Sequence, residues 1–150
     1  MAEKNVLLLV EDNLDDEALI LRVLKKNNAT YEIIVIHDGL EALDYLFATG
    51  TYTCRDLKVM PQVILLDLKL PKVDGFQVLR HLRADERTSL VPVVILTSSD
   101  EEKDIAESYR LGANSYICKS VNFTHFTKVI EQLKSYWLDL NQSPPCKWSQ

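Results

Sequence analysis

Five short apolar runs alternate with five amphipathic helical patterns along this chain, and that strict alternation leaves few folds open. The runs are Val6–Val10, Tyr31–Ile36, Val63–Leu66, Val93–Leu96 and Tyr116–Cys118. Consecutive strands joined through helices must run parallel, and a parallel sheet buries both faces under helices. The first, third and fourth runs are continuously apolar, as doubly buried strands should be. The second and fifth carry Glu32 and Ser115 and belong at the edges. The predicted fold is therefore a doubly wound α/β sheet with strand order 2-1-3-4-5. Its binding crevice lies beyond the carboxyl ends of the strands, between the first and third.

The helical patterns have readable ends. Asp12 or Asn13 can cap a first helix carrying Leu14, Ala18, Leu21 and Leu24. Asp38 and Glu41 resemble a capping box for a second, with Leu40, Leu43 and Leu46 inward. Residues 50–62 form the longest connection. A third helix starts near Gly75 with Phe76, Leu79 and Leu82 on one face, and Pro92 precedes the fourth strand. Asp100 is the expected cap of a fourth helix containing Ile105 and Tyr109, which stops at Gly112. Asn122 caps a fifth, with Phe126, Val129 or Ile130, Leu133 and Trp137 in a stripe. The expectation is one domain over residues 1–150, with a core of about 5–137 and an irregular tail from Leu138.

Polar groups close the apolar runs. Glu11 and Asp12 follow the first strand, Asp67 the third, Thr97 and Ser98 the fourth, and Lys119 the fifth. Each has a plain reading by itself: a helix cap, a turn acid, a strand hydroxyl, a solvated lysine. Together, at one edge of one sheet, they form a pocket of acids, a hydroxyl and an ammonium. Two carboxylates ~4 Å apart at an effective dielectric of about 20 repel by roughly 4 kcal/mol, so such a cluster calls for a proton or a cation. All-oxygen ligands without histidine or thiolate favour Mg²⁺ over zinc. A carboxylate there can act as a nucleophile toward phosphorus and become an acyl phosphate.

Composition narrows the alternatives. At 150 residues, 47% hydrophobic and 26% charged, with a formal charge of -5, the chain reads as globular and lacks the clustered basic residues of a nucleic-acid face. No run reaches membrane-spanning length. Three scattered cysteines, Cys54, Cys118 and Cys146, fit reduced thiols in the cytoplasm, and Cys118 reads as a small apolar filler in its strand. His37, His81 and His125 read as surface residues.

The stretches LLLVEDN, VILLDLKLPKVDGFQVL, PVVILTSS and LGANSYICK, in this order and spacing, resemble the receiver domain of two-component response regulators over roughly Asn5 to Trp137. The resemblance implies a flavodoxin-like fold with Asp67 as phosphoacceptor and a sensor histidine kinase as phosphodonor. It implies Mg²⁺ held by Asp12, by Glu11 through water, by Asp67 and by the backbone carbonyl of Lys69. Thr97 would be the switch hydroxyl, Tyr116 its coupled aromatic, and Lys119 the phosphoryl-pairing cation. Pro71, Asp74 and Gly75 match the loop after the third strand. YRLGANSYICKS, the late YWL and the long connection around Gly50–Arg55 are similar to the small regulators that partner phytochromes. That narrower likeness implies a light-sensing kinase and a homodimer.

Two departures stand out. The acidic pair is Glu-Asp rather than Asp-Asp, and Ser120 follows Lys119 where most receivers carry proline. A cis bond before serine would cost ~3 kcal/mol, so the loop there, and with it the reach of Lys119, is left open. With no DNA-binding domain expected after the last helix, output should pass through protein contacts on the fourth helix, fifth strand and fifth helix. Trp137 is the aromatic best placed for an interface.

Rival readings share the architecture. An FMN carrier would need a glycine- and hydroxyl-rich first loop, whereas this one is acidic. An aspartyl phosphatase would want an acid where Lys69 stands. A nicotinamide site lacks its Gly-x-Gly-x-x-Gly. A docking module that is never phosphorylated leaves the complete set of polar groups unexplained.

Overall fold

The computed structural model describes residues 5–26 and 31–145. Its elements are β1 (Asn5–Val10), α1 (Leu14–Leu24), β2 (Tyr31–Ile36), α2 (Gly39–Phe47), β3 (Val63–Leu66), α3 (Gly75–Ala84), β4 (Val93–Thr97), α4 (Glu102–Arg110), β5 (Ser115–Cys118) and α5 (Phe123–Lys134). The strands form one parallel sheet in the order β2-β1-β3-β4-β5, as the apolar patterning predicts. Leu8 faces Ile34 on one side and Ile64 on the other, and Ile64 in turn faces Val93.

Alternation along each strand divides the core in two. Leu8, Val10, Ile64, Leu66, Val93 and Ile95 pack under α2 and α3, against Leu46, Leu79 and Leu82. Leu7, Leu9, Val63, Leu65, Val94 and Leu96 pack under α1 and α5, against Ile20, Leu24, Phe126 and Ile130. Each fully buried Leu or Ile contributes about 1.5–3 kcal/mol by leaving water. That double cover holds the central strands rigid, so their carboxyl ends form a fixed platform. By contrast α4 buries only Ser108.

Several local features differ from the sequence-based expectation. Of the two caps expected for α1 it is Asn13 that serves, its side chain accepting from the Asp15 and Asp16 amides. The buried face of α1 is Ile20, Val23 and Leu24, while Leu14 is exposed. Leu14 opens the helix at the sheet's rim, where no strand lies beneath it. Leu40 is likewise exposed, and α2 buries Ala42, Tyr45 and Leu46. Asp38 does cap α2 through the Glu41 amide, but the Glu41 carboxylate accepts from the Tyr52 hydroxyl at 2.8 Å instead of closing the box. The full capping box belongs to α3, between Asp74 and Gln77.

Asp100 does not cap α4. Its N-terminus is organised by Ser99, whose hydroxyl donates to Asp104 at 2.6 Å and accepts from the Glu101 amide at 3.3 Å. Gly112 ends α4 with φ +104°, a conformation other residues rarely adopt. Helical structure continues past Leu138, where the tail was expected to begin: a π-helical turn runs Ser135–Leu140, with Leu138 buried and Gln62 donating to the Trp137 and Leu138 carbonyls, and residues 141–145 are irregular. Trp137 packs against the α1–α5 cluster rather than projecting outward. Cys118 is exposed, not a core filler, and its thiol lies 3.2 Å from the Ser99 carbonyl oxygen. Cys54 is also free, and Cys146 lies outside the described residues. His37, His81 and His125 are exposed as expected. No helix among the described residues is long and apolar enough to cross a membrane.

Candidate functional site

Where β1 ends, the chain must turn into α1, and Glu11 is folded inward at that turn. Its Oε1 accepts from the Asn13 amide at 3.1 Å, which fixes the carboxylate beneath the helix start. β3 ends beside it, presenting Asp67, whose Oδ1 accepts from the Lys69 amide at 3.3 Å. The loop that follows is held close by Gly75, whose amide donates to the Leu68 carbonyl at 2.9 Å. A Cβ at position 75 would lie 2.3 Å from the Asp67 carbonyl oxygen, so only glycine lets α3 begin this near to the site. From β5, Lys119 extends its side chain across the edge.

These groups meet. Lys119 Nζ lies 2.6 Å from Glu11 Oε2, 2.9 Å from Asp67 Oδ2 and 3.0 Å from Asp16 Oδ2. Glu11, Asp12 and Asp67 each offer a carboxylate oxygen within 4.8 Å of the others, with Asp12 exposed and the other two buried. The peptide bonds of the described residues are all trans, so Lys119 reaches the acids with an ordinary link to Ser120. Thr97 is fully buried at the end of β4, its Oγ1 accepting from the Ser99 amide at 3.5 Å. Tyr116 is partly buried and donates its hydroxyl to the Ser99 carbonyl at 2.8 Å.

The electrostatics follow from burial. Desolvation pushes Glu11 up to about 7; the Lys119 ammonium pulls it back, and the Asp67 charge pushes it further up. For Lys119, burial alone would depress the pKa, but the Glu11 and Asp67 carboxylates outweigh it and raise it overall. Lys119 is thus a fixed positive charge, and Glu11 is the acid that yields when charge in the pocket is unbalanced.

Against this geometry, the model of the family described as "Response regulator receiver domain" matches residues 7–131. The chain belongs to that family. The response regulator Rcp1 of Synechocystis is 40% identical over 134 residues, covering 89% of each chain. The probable methanogenesis regulatory protein FilR2 of Methanothrix harundinacea is 39% identical over 139 residues, covering 93% of this chain and 87% of that one. Among solved structures, the phosphorylated cyanobacterial phytochrome response regulator RcpA superposes with a TM-score of 0.88 at 36% identity, covering 95% of this chain and all of that one. Receiver domains are two-component signalling proteins phosphorylated by sensor histidine kinases, and they bind a divalent metal.

The donor set here fits such an ion. Three convergent carboxylates supply hard oxygen ligands, with no histidine or thiolate among them. Sequence reasoning brought Glu11, Asp12, Asp67 and Lys119 to one place, as found. It missed Asp16, the third acid on Lys119. An acid in the first turn of a helix is ordinarily explained by the helix dipole, which hides a second role.

Proposed function

We propose that Asp67 accepts a phosphoryl group from a sensor histidine kinase, with Mg²⁺ held by Asp12, Asp67, Glu11 and the Lys69 carbonyl. The observation that carries this reading is the contact of one ammonium with two buried acids, Lys119 with Asp67 and Glu11. An Asp67 carboxylate oxygen attacks the phosphorus of the donor's phosphohistidine. The P–N bond breaks as the P–O bond forms, and the histidine leaves with the electron pair and takes up a proton. The likeness to the receiver family supports Asp67 as the nucleophile, and Lys119 already stands against its Oδ2. Lys119 meets the charge that grows on the phosphoryl oxygens, and Thr97 offers a hydroxyl to them. The cation's contribution is to neutralise charge shared between the phosphoryl group and the carboxylates.

The new group carries about -1.5 to -2 charge. Thr97 turns toward it, and Tyr116 follows through Ser99, to which both are hydrogen-bonded. α4, anchored by little buried surface, is the element that shifts, so the signal leaves through α4, β5 and α5. Tyr109, Val121 and Phe123 expose apolar surface on that side, which suits a partner or a second copy of the chain. The likeness to Rcp1 and RcpA supports a phytochrome-type kinase and a cytoplasmic setting. Incubation with a small acyl phosphate and Mg²⁺, read by intact mass, tests the proposal. The expected result is one added phosphoryl group, absent in Asp67→Asn; retention of that group by Asp67→Asn would refute it. Sedimentation with and without phosphorylation tests dimerisation, which a monomer in both states would exclude.

A further inference from the structure

Lysine has three N–H donors, and in this site its ammonium lies within 3.0 Å of three carboxylates. Two of the three, Glu11 and Asp67, also belong to the cluster suited to a cation. Asp16 does not. It stands on the first turn of α1, where the Asn13 cap holds its backbone amide at 3.0 Å, and its side chain is about one-third exposed. When Glu11 and Asp67 turn to a cation and a phosphoryl group, they cease to hold the ammonium. Of the three acids, Asp16 is the one that neither role draws away.

We infer that Asp16 is a positioning residue for phosphoryl transfer, acting through Lys119 by keeping its ammonium aimed into the pocket. The inference rests on the Asp67 reading above. It follows from a division of labour within the site: a buried lysine shared by three acids, one of which lies outside the cation cluster. A charged pair of this length is strong enough to fix a flexible four-carbon side chain. Displacing a catalytic group by about an ångström costs up to roughly a hundredfold in rate, and a partial loss of aim costs correspondingly less.

The test measures phosphorylation of the full chain by a small acyl phosphate, varying donor and Mg²⁺ separately. Asp16→Ala is expected to lower the maximal rate roughly tenfold. Half-saturating Mg²⁺ and half-saturating donor should hardly move. Asp16→Glu, which keeps a carboxylate within reach, should recover most of the rate. Asp16→Asn, nearly isosteric, decides the matter if the alanine variant melts early. A merely structural role would change the melting temperature without this split or this rescue. An unchanged or faster maximal rate would overturn the inference, and so would a change confined to half-saturating Mg²⁺. Wild-type protein that takes up no phosphoryl group would instead overturn the Asp67 reading, and the inference with it.

Discussion

Lys119 and Arg83 are both drawn into this fold, and they meet opposite surroundings. Lys119 is ringed by carboxylates from three places in the chain. Arg83, on α3, is ringed by neutral oxygens: it donates to the Gly112, Ser89 and Thr88 carbonyls and to the Asn114 side chain. Burial lowers the Arg83 pKa with no opposing anion, whereas the acids raise that of Lys119. The arginine ties α3 to the loops before β4 and before β5, and Asn114 passes the link on to the Val93 amide. Such a clasp has no spare charge and nothing to exchange. The lysine sits in an excess of negative charge and can change partners without leaving its pocket. A buried cation is therefore informative about function only through the charge of its neighbours.

Substitution should separate the two roles. Lys119→Ala is predicted to slow phosphoryl uptake by roughly a hundredfold, as for loss of one preorganised donor. Arg83→Ala should leave that rate near wild type at 25 °C while lowering stability by about 2 kcal/mol, seen as a shift in the denaturation midpoint. If both variants lose activity in proportion to stability, the contrast fails.

A smaller effect concerns pH. Glu11 titrates at about 7 rather than 4.5, so its ionisation opposes folding. That penalty is absent below about 4.5, grows through the interval and is complete above about 7. A bound divalent cation needs the ionised carboxylate, so it relieves the penalty where the penalty is largest. The rise in melting temperature on adding Mg²⁺ is thus predicted to be greater at about pH 8 than at about pH 6. An equal rise at both would mean that Glu11 does not feel the ion.

The smallest expected effect is at the helix cap. Asn13→Ala should cost about 1 kcal/mol, whereas Asp12→Ala should cost less, since only Asn13 caps α1. Calorimetry on the two variants without metal measures the difference.

The strands, their order and the meeting of Glu11, Asp12, Asp67 and Lys119 were legible because each rests on a local pattern with one outcome. A continuous apolar run such as Val63–Leu66 has to be doubly covered, and whatever follows it has to emerge at the rim. What could not be read depended on contacts between distant segments. Leu14 keeps helical spacing but lies past the sheet that would bury it. Asp100 has the right side chain for a cap, yet the N-cap is Glu101, without a side-chain bond of its own, and Ser99 braces the turn by donating to Asp104 and accepting from the Glu101 amide. Trp137 sits one turn beyond Leu133, and its burial depends on Gln62 receiving the π-helical turn. Asp16 is visible as an acid in the sequence, but only the path of Lys119 gives it a partner.

Four carboxylates crowd this crevice, and the proposed chemistry falls to one. Reduction of the acyl phosphate with borohydride after phosphorylation, followed by peptide mapping, marks the residue that carried the group. The predicted label falls on Asp67 alone; a label on Glu11, Asp12 or Asp16 in its place would contradict the account.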